Sequence, residues 1–174
     1  MRALLWLVER VNFGVGCFAA LLIVPLVLAT CYEVFSRYLF HAPTIWAFEL
    51  GYMLTGAYFL LGSALTLQRG EHIRIDLIYA RLRPQRKALV DLFCYLCLFI
   101  PFSIFLGIRL WEYMSAAYAS GEGSGQSAWN PPIWPFRLVF LAGFVTMGLQ
   151  ALAEAAKCVL TLAGRPAGIY ARGL

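Results

Sequence analysis

Charged side chains fall along this chain at intervals that leave four uncharged stretches: Val11 to Tyr32, Leu50 to Gln68, Leu92 to Ile108 and Leu138 to Ala153. The bracketing pairs are Arg10 and Glu33, Glu49 and Arg69, Asp91 and Arg109, and Arg137 and Lys157, with Glu154 one turn inside the last. At 1.5 Å per residue these separations come to roughly 27 to 35 Å, the hydrocarbon thickness that a transmembrane helix must cross. The pattern predicts an all-α integral membrane protein with four transmembrane helices, at approximately 11–36, 45–68, 86–112 and 134–160, in a single membrane domain covering 1–174.

Between the spans the signals change character. Pro43 and Thr44 punctuate the first connection, and Thr44 is positioned to cap a helix that starts at Ile45. Glu49 then lies in the first turn, where the helix dipole favours a carboxylate. In the second connection Ile73, Ile75 and Leu77 alternate with His72, Arg74 and Asp76, and Leu77 to Leu82 reads as a short interfacial helix capped by Asp76 and ended before Pro84. A solvated basic loop fits the same periodicity. The third connection is Gly/Ser-rich from Gly121 to Ser127 and then turns rigid and aromatic through Trp129, Pro131, Pro132, Trp134 and Pro135, as at a membrane entrance. Gly51, Gly56, Gly62, Ser63 and Ala64 in the second span, and Gly148, Ala151 and Ala155 in the fourth, predict close helix contacts.

Composition agrees: 61% of residues are hydrophobic and only 13% charged, leaving little chain for a soluble domain. The net charge of +5 is unevenly placed. The second connection carries Arg69, Arg74, Arg81, Arg83, Arg86 and Lys87, and the tails add Arg2, Arg10, Lys157, Arg165 and Arg172, whereas the other two connections have Arg37, Arg109 and Arg137 at helix ends. Basic residues are retained on the cytoplasmic side, so both termini are expected there, with the charge drawn to phospholipid headgroups and no nucleic-acid partner implied. Arg2 and Arg10 before an apolar run resemble a signal peptide, but the run is long and Thr30 is wrong for lipoprotein cleavage before Cys31, so the first helix is expected to be retained.

Candidate chemistry is sparse. Cys94 and Cys97 have redox-motif spacing but lie inside an apolar span without a basic neighbour to activate a thiol, and with Cys17, Cys31 and Cys158 they read as packing residues. His41 and His72 fall on opposite sides, and no cofactor or metal site is indicated. Glu33 and Arg37, four apart near the outer end of the first helix, suggest an interfacial ion pair rather than a transport site. With Glu49 they are the candidates for contact with each other or with a partner. Trp46, Trp111, Trp129 and Trp134 are membrane anchors. No carboxylate falls at mid-depth, where a transporter acting alone needs polar groups.

The run Glu33-Val34-Phe35-Ser36-Arg37-Tyr38-Leu39-Phe40, then Pro43, Trp46, Glu49 and Leu50, then Phe59, Leu60, Gly62, Arg69, Gly70, His72, Ile73, Arg74, Ile75 and Asp76, resembles the small DctQ-like membrane subunit of tripartite ATP-independent periplasmic (TRAP) transporters. Pro132, Ile133, Trp134, Pro135 and Gln150 extend the match weakly. The resemblance implies a bacterial or archaeal inner-membrane protein, not an enzyme. It would pair with a large membrane subunit that carries the substrate and sodium sites, and a periplasmic substrate-binding protein would deliver an organic acid. The small subunit would be a static scaffold, with Glu33, Arg37, Trp46, Glu49, His72, Arg74 and Asp76 as partner candidates. Two other classes have four helices: a stand-alone small exporter, which would place its Glu deep in the first helix, and a thiol-quinone oxidoreductase, whose cysteine pairs would lie on the periplasmic side.

Overall fold

A computed structural model describes residues 2–71 and 82–164. The expectations for His72, Arg74, Asp76 and the interfacial helix from Leu77 lie outside the described residues. The helices are α1 (Arg2–Leu21), α2 (Ile23–Leu39), α3 (Ala47–Arg69), α4 (Pro84–Cys94), α5 (Ile100–Ser120) and α6 (Trp134–Leu162), with a π-helical turn at Tyr95–Phe99 joining α4 to α5. They make four spans long and apolar enough to cross a membrane: Leu5–Leu39, Ala47–Arg69, Gln85–Ser120 and Trp134–Leu162. Among the described residues there is no strand.

Two prolines explain the interruptions. Pro25 has no N–H to offer the carbonyl of Leu21, and α1 ends at that residue while the chain continues through Leu22 into α2. Pro101 likewise cannot donate, and the turn before it widens so that the Ile100 N–H donates to the carbonyl of Tyr95, five residues back.

Two helices are longer than charge spacing suggests. The first begins at Arg2 rather than near residue 11, because Glu9 and Arg10 do not mark its end: Glu9 pairs with Lys157, and the Arg10 guanidinium lies 5.1 Å from the centre of the Trp6 ring. The third continues past Glu112 to Ser120, where Gly121, at φ +65°, takes the left-handed conformation that ends a helix. The second starts at Ala47 rather than Ile45, with Trp46 at the cap position and no side-chain capping bond.

Helix α3 packs against α1, α2 and α6, and α6 packs in turn against α4 and α5. Small residues set these contacts, as lipid requires when no hydrophobic drive separates helix from solvent. A Cβ added at Gly143 would come 3.0 Å from the Leu60 Cβ, and one at Gly56 would come 3.1 Å from the Phe140 ring. Ala64, Ala88, Ala117 and Ala151 are completely buried, while Phe18, Phe59, Phe93 and Phe105 face outward. Of the small residues predicted to pack, Gly56, Ala64, Ala151 and Ala155 do so, whereas Gly51 and Gly62 have open space beside them.

Candidate functional site

Polar side chains gather at the two ends of the bundle. At the end holding Trp46 and Trp134, Glu33 organises the turn between α2 and α3. One of its oxygens accepts from Arg37, with Nε at 2.9 Å, and the other accepts from the Thr44 backbone N–H at 2.9 Å and from the Thr44 hydroxyl. The turn is closed by a 3.0 Å bond from the Ala42 N–H to the Ser36 carbonyl and by stacking of Trp46 on Tyr32 with ring centres 5.9 Å apart. Thr44 therefore serves Glu33 and does not cap α3.

Glu49 is elsewhere engaged. It is fully buried, one of its oxygens accepts from the Ser124 hydroxyl, and the other has no partner among the described residues. Glu33 and Arg37 thus meet each other, while Glu49 meets the loop that leads into α6. That loop turns back on itself: the Ser124 N–H donates to the Pro131 carbonyl at 2.9 Å and the Ile133 N–H to the Glu122 carbonyl at 3.0 Å. The Asn130 side-chain oxygen accepts from the Gly125 N–H at 2.8 Å.

Arg137 ties this loop to α5. Its two terminal nitrogens donate to the two oxygens of Glu122 at 2.8 and 2.9 Å, it reaches the Tyr113 carbonyl at 3.1 Å, and its guanidinium lies 3.6 Å over the Tyr113 ring. Trp134 meets Tyr118 edge to face at 5.4 Å, and Trp111 and Trp129 are exposed. Between α3, α5, α6 and the loop lies a cleft of about 560 Å³, lined among others by Phe48, Tyr52, Glu122, Ser124 and Phe136.

At the opposite end a buried chain of polar groups joins α1 to α6. The Asn12 amide donates to Gln150 Oε1 at 2.8 Å, the Gln150 amide donates to Glu154 Oε1 at 2.7 Å, and Lys157 Nζ reaches the same Glu154 oxygen at 2.7 Å and Glu9 at 2.5 Å. Asn12, Gln150, Glu154 and Lys157 are all buried. Sequence reasoning missed this network because it treated Arg10 and Lys157 as boundary marks. The signal was present in the spacing: Gln150, Glu154, Lys157 and Thr161 step by 4, 3 and 4 along one face of α6, and Glu9 and Asn12 are one turn apart on α1.

Chemically, these clusters fasten elements to one another. Glu33, Glu122 and Glu154 each have a cationic partner. The stretches 11–32, 50–68, 92–108 and 138–153 hold no Asp, Glu, Lys, Arg or His, and the third is bounded by Arg109, which pairs with Glu112 at 2.8 Å. Cys94 and Cys97 are exposed free thiols on the outside of the α4–α5 junction.

A family model, the DctQ component of tripartite ATP-independent periplasmic transporters, matches residues 26–161. Among curated proteins, the chain is similar to the sialic acid TRAP transporter permease protein SiaT of Haemophilus influenzae (strain 86-028NP), with 32% identity over 81 residues. That stretch is 44% of this chain and 13% of the relative, so the chain spans only a small part of the permease it matches.

Proposed function

The chain belongs to the DctQ-component family of TRAP transporters, and we propose that it is the static small subunit of such a system, held in a bacterial or archaeal inner membrane beside a large subunit that moves the substrate. The observation that carries this reading is the emptiness of the middle of each span: residues 11–32, 50–68, 92–108 and 138–153 include no charged side chain that a crossing solute or ion could meet. Polar groups are invested in fastening helices and turning loops, as suits a body that must resist displacement while a neighbour slides.

The coupling ion and substrate class are part of the same proposal. Sodium-driven uptake of an organic acid, delivered by a periplasmic binding protein, is the activity the family resemblance implies. The relative's name specifies an acid, sialic acid, which supports that substrate class. The match to a small fraction of a much longer permease supports association with a larger membrane partner. Arg37, held by Glu33, and Trp46, stacked on Tyr32, are proposed partner contacts; His72, Arg74 and Asp76 are proposed to act from the basic side.

Reconstitution tests the proposal. Proteoliposomes holding this chain alone should show no sodium-driven uptake, and uptake should begin when the large subunit and binding protein are added. Transport by the small subunit alone would overturn the scaffold reading.

A further inference from the structure

One ion pair of the chain points away from the bundle at a depth where acyl chains have nothing to offer it. Ser103 of α5 crosses α6 at Gly148, where an added Cβ would meet the Ser103 Cβ at 3.5 Å. Gly148 is the middle residue of α6 (Trp134–Leu162). Arg109 and Glu112 follow Ser103 by six and nine residues. They stand about 9 and 13 Å along the helix from that level, inside the roughly 15 Å half-thickness of a hydrocarbon core. Arg109 Nη1 donates to Glu112 Oε2 at 2.8 Å, yet the two side chains are 64% and 57% exposed.

Arg137 shows what an arginine satisfied within this bundle looks like: it is 11% exposed and holds a carboxylate, a backbone carbonyl and a ring. Arg109 has one hydrogen bond, to Glu112, and lies 5.8 Å from the centre of the Phe105 ring, so among the described residues its partners are all on its own helix. A guanidinium carries five N–H donors, and most of these face outward. Ionisable groups at such depth face protein or a water-filled cavity rather than lipid tails. Helix α5 packs chiefly against α6, which leaves this face uncovered. Beside the pair the surface is hollowed, with about 420 Å³ lined by Arg109, Leu110, Glu112, Tyr113 and Ala116. Phe105 and Ile108, both exposed, continue the face with apolar surface.

We infer that this outer face of α5 is the seam for a transmembrane helix of the large subunit, which sets a carboxylate or carboxamide oxygen against Arg109 and a side chain into the hollow beside it. The inference rests on the reading of this chain as a small subunit. Glu112 meets only one of the guanidinium's donors, so the demand left over is for an acceptor. A protein helix supplies one at this depth and an acyl chain does not. Together Arg109 and Glu112 carry no net charge that would draw an anionic lipid instead. The match to 13% of a longer permease supports a partner large enough to contribute the helix. The seam is a further contact beside those proposed for Arg37 and Trp46, because α5 lies against α6 whereas α2 lies against α3.

Co-expression of the full chain with the large subunit tests the seam. Benzoylphenylalanine in place of Ile108 should photo-cross-link to the large subunit, and peptide mapping should put the link in one of its transmembrane helices. The double substitution Arg109→Leu with Glu112→Leu removes both charges at once, so the chain alone should reach the membrane and resist heat at least as well as the wild type. Recovery of the complex should nevertheless fall about tenfold. The Ile108 probe leaves both charges in place and decides the question even where the double variant accumulates poorly. Full recovery of the complex with the double variant overturns the inference and leaves the small-subunit reading standing. So does an Ile108 cross-link that goes to lipid, or to a second copy of this chain, while the large subunit copurifies. A wild type that captures no large subunit overturns both.

Discussion

Gly143 and Gly62 show how differently the same residue type acts at two places on facing helices. A side chain at Gly143 would press on Leu60, including its backbone carbon at 3.3 Å, and backbone cannot yield as the tip of a flexible side chain can. Gly143→Leu should therefore destabilise the fold by about 1–3 kcal/mol through overpacking. At Gly62 nothing lies within 4 Å of the would-be Cβ, so Gly62→Ala should be neutral or raise the melting temperature slightly through helix propensity. Thermal unfolding in detergent checks both, and equal effects would contradict the packing described here.

Lys157 makes a sharper case. It stands between Glu9 and Glu154, and its side chain is only 7% exposed. Lys157→Met would leave Glu154 buried without its cation, a change that costs about 3–5 kcal/mol. Adding Glu154→Leu to that variant should recover much of the loss, because replacing a buried pair with apolar groups is far less costly than breaking it. A double variant less stable than Lys157→Met would show that the pair does not act as a unit.

At the scale of elements, what could be read from the chain follows from how local each signal is. The four spans were legible because hydropathy is summed over neighbours, and the Glu33–Arg37 pair because both residues belong to one helix at a separation of four. Thr44 departs from its expected role: a threonine directly before a helix expected from Ile45 looks like a cap, and only the return of the chain past α2 brings its hydroxyl to Glu33. Glu49 was grouped with Arg37 by its place at a helix end, yet its partner, Ser124, is 75 residues away. Charge spacing understates the first and third helices because Glu9 is accommodated by a partner on another helix and the polar turns up to Ser120 continue the helix.

For the whole molecule, the unequal placement of basic residues carries an orientation. Single cysteines at Gln85 and Gln126, both exposed and at opposite ends of the bundle, report it in a background free of other cysteines. Gln126→Cys should be labelled by an impermeant reagent added to intact spheroplasts, and Gln85→Cys only after the membrane is opened. The reverse pattern would invert the proposed topology and would put the aromatic cleft in the cytoplasmic leaflet.

The bonds that join Asn12 to Gln150 and Glu9 to Lys157 also impose an order on biosynthesis. Asn12 leaves the ribosome 138 residues ahead of the amide that satisfies it. At roughly 5–20 residues per second it waits on the order of ten seconds. During that interval the first span lacks both of the partners that α6 supplies to Asn12 and Glu9 in the folded bundle. A chain that stops before α6 therefore lacks the groups that tie α1 into the bundle.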